Sequence, residues 1–302
     1  MDFGKLADVS KVNFKLPADA EATGRILSAV AAPAKPRVFV GCPVWTCKEW
    51  LGRIYPANAR EKDYLYHYSR QFNTIELNTT HYRIPDATTI TRWRTVASRG
   101  FTFCPKWPQQ ISHELGLQYA EAPTKAFCDS VRGLAEHLGA SFLQLPPYFT
   151  PHQADVLVNF LENVPEEIPV AVEFRHEDWF RPSAVVAETF RQMEQMGIST
   201  VLTDVAGRRD ALHMRLTTPT AMVRFVGNGL HPSDYRRVED WAERLGAWFK
   251  GGVQTVYFFV HQPDNVLSPD LALYFIRLLN GQYGLNLAEP RISTQAVQGS
   301  LF

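Results

Sequence analysis

No apolar run in this 302-residue chain approaches the roughly 20 residues that span a bilayer, so no membrane-spanning segment is expected. An excess of charge of one sign is also missing. Lys plus Arg and Asp plus Glu both number 31, and the pI is about 7.1. Domains that grip phosphate backbones carry a basic excess, and the chain as a whole has none. Cysteine is scarce: Cys42, Cys47, Cys104 and Cys128, at spacings that match no zinc pattern. They read as reduced thiols. Residues 1–16 alternate charged and apolar positions and lack the continuous apolar core of a signal peptide. Together these absences predict a cytoplasmic protein. There is no internal repeat, and biased composition is confined to the Ala/Pro stretch 31–36.

What is present is a rhythm. The hydrophobic fraction of 45% allows a sizeable core. Eight short apolar runs end near Cys42, Glu76, Lys106, Gln144, Glu173, Asp204, Arg224 and His261, and seven helix-like stretches separate them. The runs cover 37–42, 74–77, 101–106, 141–145, 170–174, 199–204, 221–226 and 253–260. They are often β-branched or aromatic, as strands covered on both faces should be. Alternating strands and helices mean parallel strands with right-handed crossovers. The expected fold is α/β: a TIM-type (β/α)8 barrel, irregular in places, over 37–284. It has an N-terminal extension over 1–36 and a tail over 285–302. A doubly wound open sheet is the competitor. Within the intervening segments, Phe127, Val131, Leu134 and Leu138 predict one amphipathic helix. Tyr235, Val238, Trp241, Leu245 and Trp248 predict another, with Ser233 as N-cap.

In such a barrel the chemistry sits where the strands end. Alternate residues of a strand face opposite sides. With the apolar set facing the helices, Glu76, Asn78, Lys106, Glu173 and Arg175 point into the mouth. Gln144, Asp204, Arg224 and His261 are expected beside them by position. The layer is then formally balanced, Glu76, Glu173 and Asp204 against Lys106, Arg175 and Arg224. Isolated buried charges are costly, so these six should pair. A purely structural network closing the barrel top is one reading. Against it, barrel interiors are usually filled by aliphatic side chains.

The strings that carry these residues resemble a known family. Ile75-Glu76-Leu77-Asn78-Thr79-Thr80-His81-Tyr82, Lys106 with Ile111-Ser112-His113, Leu143-Gln144-Leu145-Pro146-Pro147 and Val172-Glu173-Phe174-Arg175-His176-Glu177-Asp178-Trp179 are similar to the conserved strings of the YecE-like family, domain of unknown function 72. The likeness runs in order from about residue 37 to 282. It implies a TIM-type barrel and no established activity. The chain departs from the pattern at His261-Gln262, at Cys42-Pro43-Val44-Trp45, and in the added Arg208-Arg209 after the sixth run.

Three chemistries compete. Paired carboxylates suit glycoside hydrolysis, but Lys106 and Arg175 would lower their pKa values, and a general acid needs a raised one. Glu76, Glu173, Asp204, His176 and His261 offer metal ligands, as in an endonuclease-like barrel, yet the interior cations would repel a divalent ion. No metal or other cofactor is therefore expected. The preferred expectation is a site for a polar, anionic small molecule. Lys106, Arg175, Arg224, Arg208 and Arg209 would hold a phosphate or carboxylate, with Asn78, His113 and Gln144 as polar contacts. Glu76 or Glu173 would act as base and His176 or His261 would shuttle protons, which suits a hydrolase, isomerase or lyase. Tyr82, Trp45, Trp107 and Trp179 would wall the pocket. A nucleic-acid-binding barrel, with aromatics stacking on bases, is the alternative that neutral charge disfavours. Oligomeric state is not legible.

Overall fold

The structure, a computed structural model, describes residues 4–293. Its eight strands are β1 Arg37–Cys42, β2 Thr74–Leu77, β3 Thr102–Pro105, β4 Ser141–Gln144, β5 Val170–Glu173, β6 Ser199–Asp204, β7 Thr220–Val226 and β8 Thr255–His261. All pair in parallel, in the order β3-β2-β1-β8-β7-β6-β5-β4. Between β3 and β4 only two bridges remain, Phe103 to Leu138 and Lys106 to Phe142. The sheet is a nearly closed, TIM-like barrel with one thin seam, and the open-sheet alternative falls.

The helices are α1 Glu21–Ser28, α2 Tyr64–Tyr68, α3 Ala87–Val96, α4 Glu121–Arg132, α5 Ala154–Glu162, α6 Ala184–Gln195, α7 Pro232–Gly251 and α8 Ser268–Tyr283. Two expectations need correcting. The helix expected to run through Leu138 stops at Arg132, because Ala135 adopts a positive φ of 51° and turns the chain. The N-cap of α7 is His231 rather than Ser233, with Pro232 in the first turn, where its missing N–H is not needed.

Six α-helices, not seven, separate the strands. β6 and β7 are joined by an irregular segment holding only the short turn Arg209–Ala211. The N-terminal extension fills the vacant place. Thr23 of α1 donates to the Met214 carbonyl at 2.6 Å and accepts from Leu216 N at 2.9 Å, both in that segment. Arg25 pairs with Glu194 of α6. On the other side Gly252 ends α7 with φ 118°, and a Cβ there would lie 2.3 Å from the Leu27 carbonyl oxygen. Only glycine lets α1 come so close. Helix α1 thus completes the outer layer between α6 and α7, although it precedes β1 in sequence.

Strand parity divides the core in two. Phe39, Cys104, Ala140, Phe142, Ala171, Val201, Met222, Tyr257 and Phe259 form a plug inside the barrel, and a much larger apolar layer packs the helices onto its outside. The plug is rich in aromatics, with Phe39 and Tyr257 stacked at 4.9 Å. The described end of the tail returns to the body, where Ser293 N donates to the Arg53 carbonyl. The rest of the expected tail, 294–302, lies outside the described residues.

Candidate functional site

Above the plug sits a charged layer built at the ends of six strands. Arg224 on β7 is its centre. Its Nε and Nη2 form a fork on Glu76 of β2, at 2.9 and 2.8 Å, and its Nη1 reaches Glu173 of β5 at 2.8 Å. The two carboxylates, from β2 and β5, therefore converge on one guanidinium. Glu76 also accepts from Asn78 Nδ2 and His261 Nε2, each at 2.8 Å. Glu173 accepts from Arg175 Nε at 3.1 Å and Gln144 Nε2 at 2.8 Å. Burial alone would raise both carboxyl pKa values. Arg224, with His261 for one and Arg175 and Gln144 for the other, outweighs it. Glu76 is held well below the usual range and Glu173 near about 2. Burial would lower the pKa of Arg224, but the two carboxylates raise it instead.

Lys106, at the end of β3 on the seam, is treated differently. It is 9% exposed, and its Nζ donates to Gln144 Oε1 at 2.9 Å. Neither carboxylate of the layer forms an ion pair with it; both are occupied by arginine. Burial first, then the Arg224 charge, pushes its pKa down to about 8. Around it stand two histidines. His81 Nδ1 lies 2.8 Å from the Trp107 carbonyl, so that nitrogen carries the proton and Nε2 is left as a base. Burial and the Lys106 charge lower its pKa to about 4. His113 stands edge-on to His81 at 5.3 Å, and the same causes, with Arg175, lower its pKa. Tyr82, 75% exposed, and exposed Tyr148, bonded through its hydroxyl to the His113 carbonyl, form the rim. His81 and Tyr148 were not singled out from the sequence. His81 sits in the Asn78–Tyr82 string, and a turn directly after an inward carboxylate is the signal that marks it.

Several expected members are elsewhere. Asp204 does not join the layer. Val201 faces the plug, so by alternation Thr203 does too, and Asp204 points outward to Arg237 Nη2 and Trp241 Nε1 of α7 at 2.7 and 2.8 Å. Arg209 follows it out, pairing with Asp204 and with the Phe14 carbonyl. Arg208 pairs with Asp210 and donates to the Arg175 carbonyl. Arg224, committed to both carboxylates, is a foundation of the layer rather than an anion clamp. Trp45 packs on Trp93 and Phe103, in the helix-facing layer. Trp179 is buried against Phe174 and donates to the Phe149 carbonyl, and Trp107 is buried against Phe127 and Phe160. Trp45 and Trp107 pack into the helix-facing layer, and Trp179 lines a cavity of about 530 Å³ beside α6 and the N-terminal extension, away from the mouth. His176 accepts from Asp178 N through Nδ1 and caps the turn 177–180.

With Asp204 removed, the layer holds Glu76 and Glu173 against Lys106, Arg175 and Arg224, a formal surplus of one positive charge. Among the described residues no three His, Cys, Asp or Glu side chains come together as a metal-ligand set. No described helix is long and apolar enough to cross a membrane. A cavity of about 790 Å³ lies between α4 and α5, away from this layer. Among its charged lining residues, Asp129 pairs with both Lys125 and Arg132.

Fold and charged layer together define a TIM-like barrel with a buried charged layer at the carboxyl ends of its strands. The chain belongs to the family described as protein of unknown function DUF72, whose model matches residues 39–295. It is 30% identical to UPF0759 protein YecE of Escherichia coli K12 over 252 residues, covering 78% of this chain and 89% of that one. UPF0759 protein YunF of Bacillus subtilis is 26% identical over 152 residues, 48% of this chain and 53% of that one. Two solved DUF72 family structures share the fold. The Enterococcus faecalis V583 protein has a TM-score of 0.65 at 19% identity, covering 82% of this chain and 99% of its own. The Thermotoga maritima MSB8 protein has 0.64 at 23%, covering 81% and 99%.

Proposed function

We propose that the barrel mouth binds a small anionic molecule, a phosphate or carboxylate, with Lys106 as its principal counter-charge and Arg175 beside it. The observation that carries this reading is the unequal pairing of the layer. Arg224 and Arg175 form ion pairs with carboxylates, whereas the hydrogen bond of Lys106 goes to an amide oxygen and Glu173 and Glu76 reach it only at longer range. A buried ammonium without an ion pair is costly, and an anionic ligand would relieve that cost. Glu76 and Glu173, ionised and fully engaged, then serve as scaffold. Acid–base duty passes to His81 and His113, which the rim tyrosines overhang. Three cations favour an anion here over a divalent metal. The neutral overall charge gives a nucleic-acid backbone no extended basic track.

The test is a thermal-shift and calorimetric titration of the full chain with inorganic phosphate and small carboxylates, against sodium chloride at equal ionic strength. Saturable stabilisation that Lys106→Met abolishes is expected. A protein indifferent to every such anion would end this reading and leave the layer a structural network.

A further inference from the structure

We propose that Lys106 is a nucleophile that forms an imine with a carbonyl group of the bound anion, so that the ligand class is an aldehyde or ketone carrying a carboxylate or phosphate. This rests on the anion site proposed above and specifies it. Three placements support it. Lys106 stands at the carboxyl end of β3, where barrel side chains meet substrate. Its Nζ is buried beside two guanidinium-bearing residues, Arg224 and Arg175, with a single hydrogen bond to an amide and no ion pair. Desolvation and neighbouring cations are the two means by which an amine is made neutral, hence nucleophilic, near physiological pH, and the pKa of about 8 agrees. On the rim side, His81 Nε2 is a neutral base close enough for Lys106 to shift its titration, as is His113. A salt bridge serving the fold alone would have matched this ammonium with a carboxylate, as it matched Arg224 and Arg175.

The step balances without oxidant or reductant. Neutral Nζ adds to the carbonyl carbon; the C–N bond forms, and the carbonyl electron pair moves to oxygen, which takes a proton. Nζ gives up a proton. The oxygen takes another and leaves as water, and the nitrogen lone pair closes the C=N bond. Amine, carbonyl and one proton thus become iminium and water. His81 and His113 are the groups placed to move these protons, and Arg175 to hold the anionic end.

The full chain would be incubated with glyoxylate, a carboxylate-bearing aldehyde, reduced with borohydride, and mapped by peptide mass spectrometry. One dominant adduct is expected on Lys106, at least about tenfold above any other lysine, because surface amines near their ordinary pKa are almost wholly protonated at pH 7. Labelling should rise with pH through about 8, and inorganic phosphate should suppress it. Lys106→Arg keeps the charge and should abolish the adduct. Mapping of the unaltered protein stands even if that variant does not fold. Labelling spread evenly over the lysines, or unchanged in Lys106→Arg, would overturn the imine. If phosphate still stabilises the protein saturably in that case, the anion site survives without it. If neither phosphate nor glyoxylate stabilises the protein, the site itself is lost and the imine with it.

Discussion

Two buried charge clusters lie in one barrel wall, and their balance differs. The outer one joins Asp204 and Asp234 to Arg209 and Arg237, two charges of each sign. Its Arg237 is wholly buried, with its guanidinium 4.7 Å from the Phe14 ring and 4.2 Å from the Phe225 ring. Trp241 takes the remaining carboxylate oxygen of Asp204. The inner cluster joins two carboxylates to three cations and leaves Lys106 on an amide. A cluster that only holds elements together is neutral and sealed by its own chain. The surplus charge at the ends of the barrel strands is what the outer cluster lacks, and the proposed anion site rests on it.

The strongest challenge to that contrast is removal of the extension. Deleting residues 1–36 takes away α1 and Phe14, uncovers the segment between β6 and β7, and strips one ring from Arg237. The expected product is insoluble or melts without cooperativity. A truncated chain with the full-length melting temperature would show that the outer cluster does not depend on its cover. Next in size is Arg237→Ala, which leaves Asp204 and Asp234 buried with too little counter-charge. It should cost about 3–5 kcal/mol in urea denaturation. Arg224→Met strands Glu76 and Glu173 in the same way, but Lys106 and Arg175 remain nearby. Its cost should be smaller, roughly 2–3 kcal/mol. Equal costs for the two arginines would erase the distinction drawn here.

Acid sharpens it further. Glu173 has a folded pKa of about 2 against an ordinary value of 4.5. A depressed carboxyl pKa contributes stability above 4.5 that is lost as pH falls towards 2. Stability should therefore drop across that window, and Glu173→Gln should flatten the drop. An unchanged slope would mean that other carboxylates carry it. The smallest effect is expected from Lys106→Met. Its folded pKa lies below the ordinary lysine value, so its burial opposes folding at pH 7. The variant should be within about 1 kcal/mol of the parent, or more stable, while losing anion-dependent stabilisation.

Strand positions were legible because a doubly covered parallel strand is a short apolar run, and these runs alternate with segments of helical spacing. Within the inward set, Glu76, Lys106 and Glu173 are legible from alternation, and Gln144, Arg224 and His261 from their positions at strand ends. Asp204 was misplaced by reading its position at a strand end instead of its parity with Val201. The loop arginines were out of reach for a different reason. Arg209 is fixed by Phe14, 195 positions away, and no local period encodes that. The missing helix after β6 was equally hidden, since the segment that replaces it comes from before β1. Trp45 and Trp179 show the ordinary fate of aromatics, which bury area unless a polar cleft needs them.

The sheet order carries a consequence for how the protein is made. β1 and β8 share a five-residue register, with Arg37 opposite Thr255, 218 positions on. β3 and β4, neighbours in sequence, share only isolated bridges. During synthesis from the amino end, the ring cannot close until nearly the whole chain has left the ribosome. Glu76 and Glu173 emerge well before Arg224, the cation that joins them. Until β7 arrives, Glu76 and Glu173 lack the guanidinium that joins them.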